Sequence, residues 1–155
     1  MFRQIRLDER ALEKEEAVEI VKKGSYGVLS TVGEDGYPYG VALNYAFYDG
    51  AICFHCAVEG HKVDNINFNE KVSFCVVTKS EVLSNKFDTD FESAIVFGKA
   101  AEVQEDIEKE KILMSFFEKY APDHIEAGKN YLEKNYSATK VIKIVIDHIT
   151  GKKRK

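Results

Sequence analysis

Residues 37–48, Tyr37-Pro38-Tyr39-Gly40-Val41-Ala42-Leu43-Asn44-Tyr45-Ala46-Phe47-Tyr48, alternate large and small side chains with a period of two. The odd positions (Tyr37, Tyr39, Val41, Leu43, Tyr45, Phe47) are all bulky. The even ones from Pro38 to Ala46 are mostly small. Successive side chains of a strand point to opposite faces of its sheet, so the pattern predicts one long strand with a bulky face and a flat face. Asp49-Gly50 follows, a tight-turn dipeptide, and leads into a second predicted strand, Ala51–Ala57.

Upstream, Tyr26–Val32 reads as a short strand closed by the turn Gly33-Glu34-Asp35-Gly36. Asp8 to Lys23 reads as a helix with Asp8 as its N-cap, Ala17, Ile20 and Val21 on one face, and Gly24 in the C′ position. Downstream, Glu59 to Asn69 predicts a short helix with Val63 and Ile66 inward. Val72–Thr78 and Ser93–Val103 read as strands joined by a polar surface loop from Lys79 to Asp90. Asp106 to Tyr120 predicts a helix carrying Ile107, Leu113, Met114 and Phe117, and a second helix follows Pro122-Asp123, with Asp123 placed to cap it. The last strand, Lys140 to Ile146, is almost entirely apolar or β-branched, which predicts burial on both faces. Hairpin-linked strands with few helical crossovers predict a mainly β (α+β) antiparallel barrel with flanking helices, and not a doubly wound sheet. No linker divides the chain, so residues 1–155 read as one domain.

The chain's 45% hydrophobic and 31% charged residues are the balance of a globular protein. A formal charge of −4 argues against a general nucleic-acid binder, which needs a basic face to neutralise phosphates. The one basic cluster, Lys152 to Lys155, reads as a solvating tail. Met1 to Arg10 is too polar for a signal peptide, and no apolar run approaches the roughly 20 residues of a membrane helix. Three cysteines, Cys53, Cys56 and Cys75, read as reduced thiols in a cytoplasmic protein.

The segment Ile52-Cys53-Phe54-His55-Cys56-Ala57-Val58-Glu59-Gly60-His61-Lys62 runs from a strand into a helix start. The first N–H groups of a helix lack internal partners and favour an anion. Gly60 admits a phosphate to the backbone, Lys62 supplies a point charge, and His61 a further donor. A solvated helix start explains the same residues equally well. The flat face Gly40, Ala42, Asn44, Ala46 suits a planar aromatic ligand, with Asn44 able to bond a ring edge, or simply the close approach of a neighbouring strand or subunit. A zinc site is not expected, because strand alternation turns Cys56 away from Cys53 and His55. A cysteine nucleophile lacks a strand-to-helix elbow, and Cys75 reads as a small core residue. His124 and His148 carry no readable role beyond surface or capping duty.

Together, the runs from Gly36 to Tyr45, Ile52 to Ile66 and Val72-Ser73-Phe74 resemble the pyridoxamine 5′-phosphate oxidase-like split-barrel flavoproteins. Within them, the 5-nitroimidazole resistance (NimA-like) branch is the most similar. Val96-Phe97-Gly98-Lys99-Ala100 and His148-Ile149-Thr150-Gly151-Lys152 extend the match over nearly the whole chain. The resemblance implies a split barrel and a homodimer holding FMN non-covalently between its subunits. Val41, Ala42, Leu43 and Asn44 would line the isoalloxazine ring, with His55 and Cys56 beside it. Gly60, His61 and Lys62 would hold the phosphate, with Ser93 contributing from a neighbouring strand. Relatives often carry proline where this chain has Ala42 and Glu70, which bears on local rigidity. His55 would be a proton donor or small-anion ligand, or would fix its strand; both readings stand. The implied function is FMN-dependent reduction of small electron-poor compounds, with nitroimidazoles as type substrate. A flavin-storage protein without turnover is the rival, and a haem- or deazaflavin-binding barrel the third reading. Pyridoxamine phosphate oxidation itself is not expected, because the chain is short and lacks recognisable substrate-binding arginines.

Overall fold

The structure, a computed structural model, describes residues 1–154. Seven strands form one antiparallel sheet: β1 (Gly27–Val32), β2 (Pro38–Leu43), β3 (Ala46–Tyr48), β4 (Ala51–Ala57), β5 (Lys71–Leu83), β6 (Asp88–Glu102) and β7 (Thr139–Lys153). Their spatial order is β2-β1-β5-β6-β7-β4-β3. β2 and β3 are thus opposite edges of the sheet, yet only Asn44 and Tyr45 separate them in the chain. Three Cα steps reach about 11 Å at most, so the sheet must curl until its edges meet. The result is the expected split barrel. β3 pairs only with Ala51, Ile52 and Cys53 of β4, so residues 54–57, paired with β7 on one side, are left unpaired on the other, as is the outer edge of β2. That open seam is the split.

The predicted single strand 37–48 is broken at Asn44-Tyr45 because the backbone of Tyr45 bonds elsewhere. Its N–H donates to the Tyr120 hydroxyl (3.2 Å), and its carbonyl accepts from Lys119 Nζ (2.9 Å). With both groups taken by side chains, no ladder runs through this position. The Tyr45 ring is fully buried and donates its hydroxyl to the Val21 carbonyl.

Helix α1 (Lys14–Lys23) begins six residues later than Asp8, with Glu13 and Glu16 forming a reciprocal capping box. Residues Asp8–Arg10 are a separate 3-10 turn, because Ala11 pairs with Lys152 and the Leu12 N–H donates to the Gly151 carbonyl (2.9 Å). Ala17, Ile20 and Val21 are buried as predicted. Gly24 is extended (φ −64°) and not left-handed; a Cβ there would run into the Tyr45 hydroxyl and the Val76 side chain. Helix α2 (His61–Phe68) buries Val63, Asn65 and Ile66. Helix α3 (Asp106–Tyr120) buries Ile112, Leu113 and Phe116, while Ile107 is exposed. Helix α4 (Ile125–Asn135) is preceded by His124, and Asp123 makes no capping bond.

The expected loop 79–90 is instead the far end of a β5–β6 hairpin, paired from Lys79–Glu92 to Leu83–Asp88. It is polar because both faces of this two-stranded ribbon are wet. Lys79 pairs with Asp90 across it (2.5 Å). β7 runs on to Lys153, and its burial on both faces is confined to Val141-Ile142; Val145 is 56% exposed. Cys75 is half-buried on the outward face between Val28 and Ile95, and not in the core.

Candidate functional site

The seam collects most of the residues singled out from sequence. Gly40 and Ala42 of β2 and Asn44 just beyond its end are exposed, and Val41 and Leu43 between them are half-buried. Asn44 Nδ2 donates to the Ser25 carbonyl (3.0 Å), which also accepts the Tyr120 hydroxyl (2.7 Å). A carbonyl only accepts, so the orientation of the Asn44 amide is unambiguous. Its Oδ1 is exposed and has no protein donor among the described residues.

His55 and Cys56 diverge at the end of β4. His55 lies on the exposed side, its ring edge-on to Phe116 (4.8 Å, 69°). Partial desolvation lowers its pKa from the ordinary histidine value, so the imidazole is neutral at neutral pH. Cys56 is half-buried on the other face. Burial raises its thiol pKa, with Lys62 and Lys140 pulling the other way. Burial pushes the Cys53 thiol up to about 12. Neither is a thiolate at neutral pH, so neither is poised as a nucleophile. The described residues hold no metal-binding cluster of His, Cys, Asp or Glu.

At the helix end of the seam, Gly60 adopts φ 151°, a conformation glycine tolerates best. A Cβ there would meet nothing within 4 Å, so the backbone is open to close approach. His61 stacks on Tyr39 (3.9 Å between centroids), which fixes the start of α2 against β2. Inside the barrel, Asn65 Nδ2 donates to Thr31 Oγ1 (3.0 Å), and Gly33 leaves room for that amide. Lys62 is half-buried and has no carboxylate within ion-pair distance among the described residues. Free helix N–H groups, an open glycine and an unpaired lysine are groups that can accept an anion. Ser93 lines a separate groove with Arg6, Ile95 and Lys152.

Sequence reasoning missed the wall behind Asn44 and His55. Phe116, Lys119 and Tyr120 come from the last turns of α3. Lys119 lies 4.0 Å over the Tyr45 ring, and burial lowers its pKa. The Phe116–Tyr120 spacing of four marks one helix face, but nothing local ties that face to β2.

The curled seven-stranded antiparallel sheet, open at this seam, makes the protein a split barrel. The family model for pyridoxamine 5′-phosphate oxidase matches residues 13–153, and the chain belongs to that family. Among solved structures, a conserved hypothetical protein from Mycobacterium tuberculosis is similar at 20% identity and TM-score 0.83, over 97% of this chain and 90% of that one. A candidate 5-nitroimidazole antibiotic resistance protein from Bacteroides thetaiotaomicron is similar at 21% identity and TM-score 0.74, over 92% and 85%. A FAD-binding protein from Mesorhizobium loti follows at 20% identity and TM-score 0.66, over 94% and 98%. Haem-binding and haem-storage proteins occur among the further matches. No curated protein matches the sequence.

Proposed function

We propose that the chain binds FMN at the seam as a homodimer and reduces small electron-poor compounds such as 5-nitroimidazoles. The observation that carries this is that one stretch of chain carries both the unoccupied Asn44 Oδ1 and, through the Tyr39–His61 stack, the helix start at Gly60, His61 and Lys62. A flavin mononucleotide has a flat ring with an N–H edge and a phosphate tail, and the residues present suit both ends. Lys62 and the α2 N–H groups would hold the phosphate. The exposed small residues Gly40 and Ala42 would admit the ring, flanked by Val41, Leu43 and Asn44. When bound, the flavin supplies the redox chemistry, while the protein orients it and limits water access. His55, adjacent to the seam, would deliver a proton to the substrate from its protonated form, which burial makes the minor one at neutral pH. Cys56, on the opposite face of β4, would pack near the phosphate side through its proximity to Lys62. Three free cysteines suit a reducing compartment, which supports a cytoplasmic location.

The dimer reading is supported by the outward sheet face. Val28, Cys75 and Ile95 lie side by side across β1, β5 and β6, and Tyr26, Val77 and Phe97 extend the exposed apolar surface. Such a surface suits a self-complementary two-fold contact. Light scattering on the flavin-loaded protein should give twice the 17.6 kDa chain mass. A monomer that keeps tight FMN would exclude a shared site.

Reduction and storage are separated kinetically. Without oxygen, the reduced protein should pass electrons to a nitroimidazole faster than free reduced FMN does. His55→Ala should slow this about hundredfold, the low end of what a positioned proton donor contributes, while FMN stays bound. Stopped-flow reoxidation measures both. If neither protein outpaces free reduced FMN with any nitro or quinone acceptor, the chain is a flavin carrier. If wild type and variant react alike, His55 only supports its strand.

A further inference from the structure

Helix α2 buries Val63 and Ile66 against the barrel. Beside them a cavity of about 560 Å³ opens between the helix, Glu70, the end of β6 and the start of β7. Its floor is apolar and closed: Val63, Ile66, Ala100 and Ile142 are each at most 6% exposed. Phe68, in the last turn of α2, forms one wall and is 60% exposed. The backbone around the opening is pinned. The Asn69 N–H donates to the Asn65 carbonyl (2.8 Å), and Asn69 Oδ1 accepts from the Lys71 N–H (3.1 Å). The Glu70 carbonyl accepts from the Ala100 N–H (2.8 Å). The cavity is therefore built into the fold, as ligand pockets generally are.

Its charged side chains are Glu70, Glu102 and Lys140. Glu102 pairs with Lys140 (3.3 Å), so these two offset each other. Among the described residues, no cation lies within ion-pair distance of Glu70. One negative charge is left over, next to an exposed aromatic ring. A carboxylate and the face of an aromatic ring attract the same kind of group, a cation. Asn67 and Gln104 bring side-chain amide oxygens to the same opening. The described residues gather no metal-binding cluster, and an apolar floor suits a carbon skeleton better than a bare ion.

We infer that this cavity is a ligand site for a small organic monocation, a primary ammonium carried on a short apolar or one-ring body. Glu70 pairs with the ammonium, and Asn67 and Gln104 accept its remaining N–H groups. The body lies on Val63 and Ile66, against the Phe68 ring. A volume of about 560 Å³ is within the roughly 300–1,000 Å³ of small-molecule pockets. A dication would have to displace Lys140 from Glu102, which selects for a single charge. None of these walls belongs to the residues assigned to the flavin or to the apolar outward face of the sheet. Asn67 and Phe68 stand at the other end of α2 from Gly60.

The test is calorimetric titration of the full chain, with and without FMN, against phenethylamine, phenethyl alcohol and putrescine. Phenethylamine should bind saturably at one per chain, equally well in both conditions, and more weakly as salt is raised. Phenethyl alcohol, nearly the same shape without the charge, should bind at least tenfold more weakly. Glu70→Gln keeps the size of an exposed side chain, so it should melt and bind FMN like wild type. Its affinity for phenethylamine should fall about tenfold or more. No saturable binding, equal affinity for the alcohol, unchanged affinity in Glu70→Gln, or displacement of the amine by FMN would overturn the site. Tighter binding of putrescine than of phenethylamine would overturn the single-charge assignment.

Discussion

Replacing Lys62 with alanine should weaken FMN binding about ten- to hundredfold and leave riboflavin binding almost unchanged. Lys62 has no carboxylate partner among the described residues, and it stands at the first turn of α2 beside the open backbone of Gly60. A charge-assisted hydrogen bond contributes roughly 1.5–3 kcal/mol, which converts to that range of affinity. Riboflavin lacks the phosphate and so gives up nothing at this position. Fluorescence titration of both flavins against both proteins separates local from general damage. Equal losses for the two would mean that Lys62 supports the fold of the seam and not the phosphate.

Gly98→Ala should be the most damaging small substitution in the barrel. The β6–β7 register shifts between Phe97, opposite His148, and Gly98, opposite Ile146, so Asp147 is the extra residue of a bulge. A Cβ at Gly98 would press into the Val145 carbonyl and lie 2.8 Å from Cγ2 of the fully buried Ile144. A side chain could rotate away; a backbone oxygen in a paired strand cannot. Overpacking of this kind costs about 3 kcal/mol, or about 6–12 °C of melting temperature for a chain this size. Gly36→Ala is the contrast. Gly36 has φ 77° but open space around it, so only the left-handed backbone penalty of about 1 kcal/mol applies. Thermal melts of the two variants should differ clearly in this order. Equal melting points would show that the strands at the bulge can part at little cost.

The alternation of residues 37–48 is enough to find extended chain there, because one flat and one bulky face follow from a period of two. It could not show where the strand breaks. Tyr45 fits the alternation, and what interrupts the ladder is capture of its backbone by Lys119 and Tyr120, about 75 residues away in the chain. The same limit hid the wall behind Asn44. The ribbon at 79–90 reads as a loop because a largely exposed two-stranded extension has no apolar alternation to read. Gly24 reads as a helix terminator for local reasons and is a glycine for a tertiary one, the Tyr45 hydroxyl and Val76 side chain in the space a Cβ would take. The candidate anion site was legible because a helix start, a glycine and a lysine are neighbours in sequence. Its setting beside β2, pinned by His61 on Tyr39, was not.

The visible absorption spectrum of the purified protein, before and after FMN is added and excess removed by gel filtration, tests flavin binding at the seam most directly. A protein of this design retains the two visible flavin bands at one FMN per chain. A Soret band with no retained flavin would contradict it and place the chain with the haem-binding members of its fold.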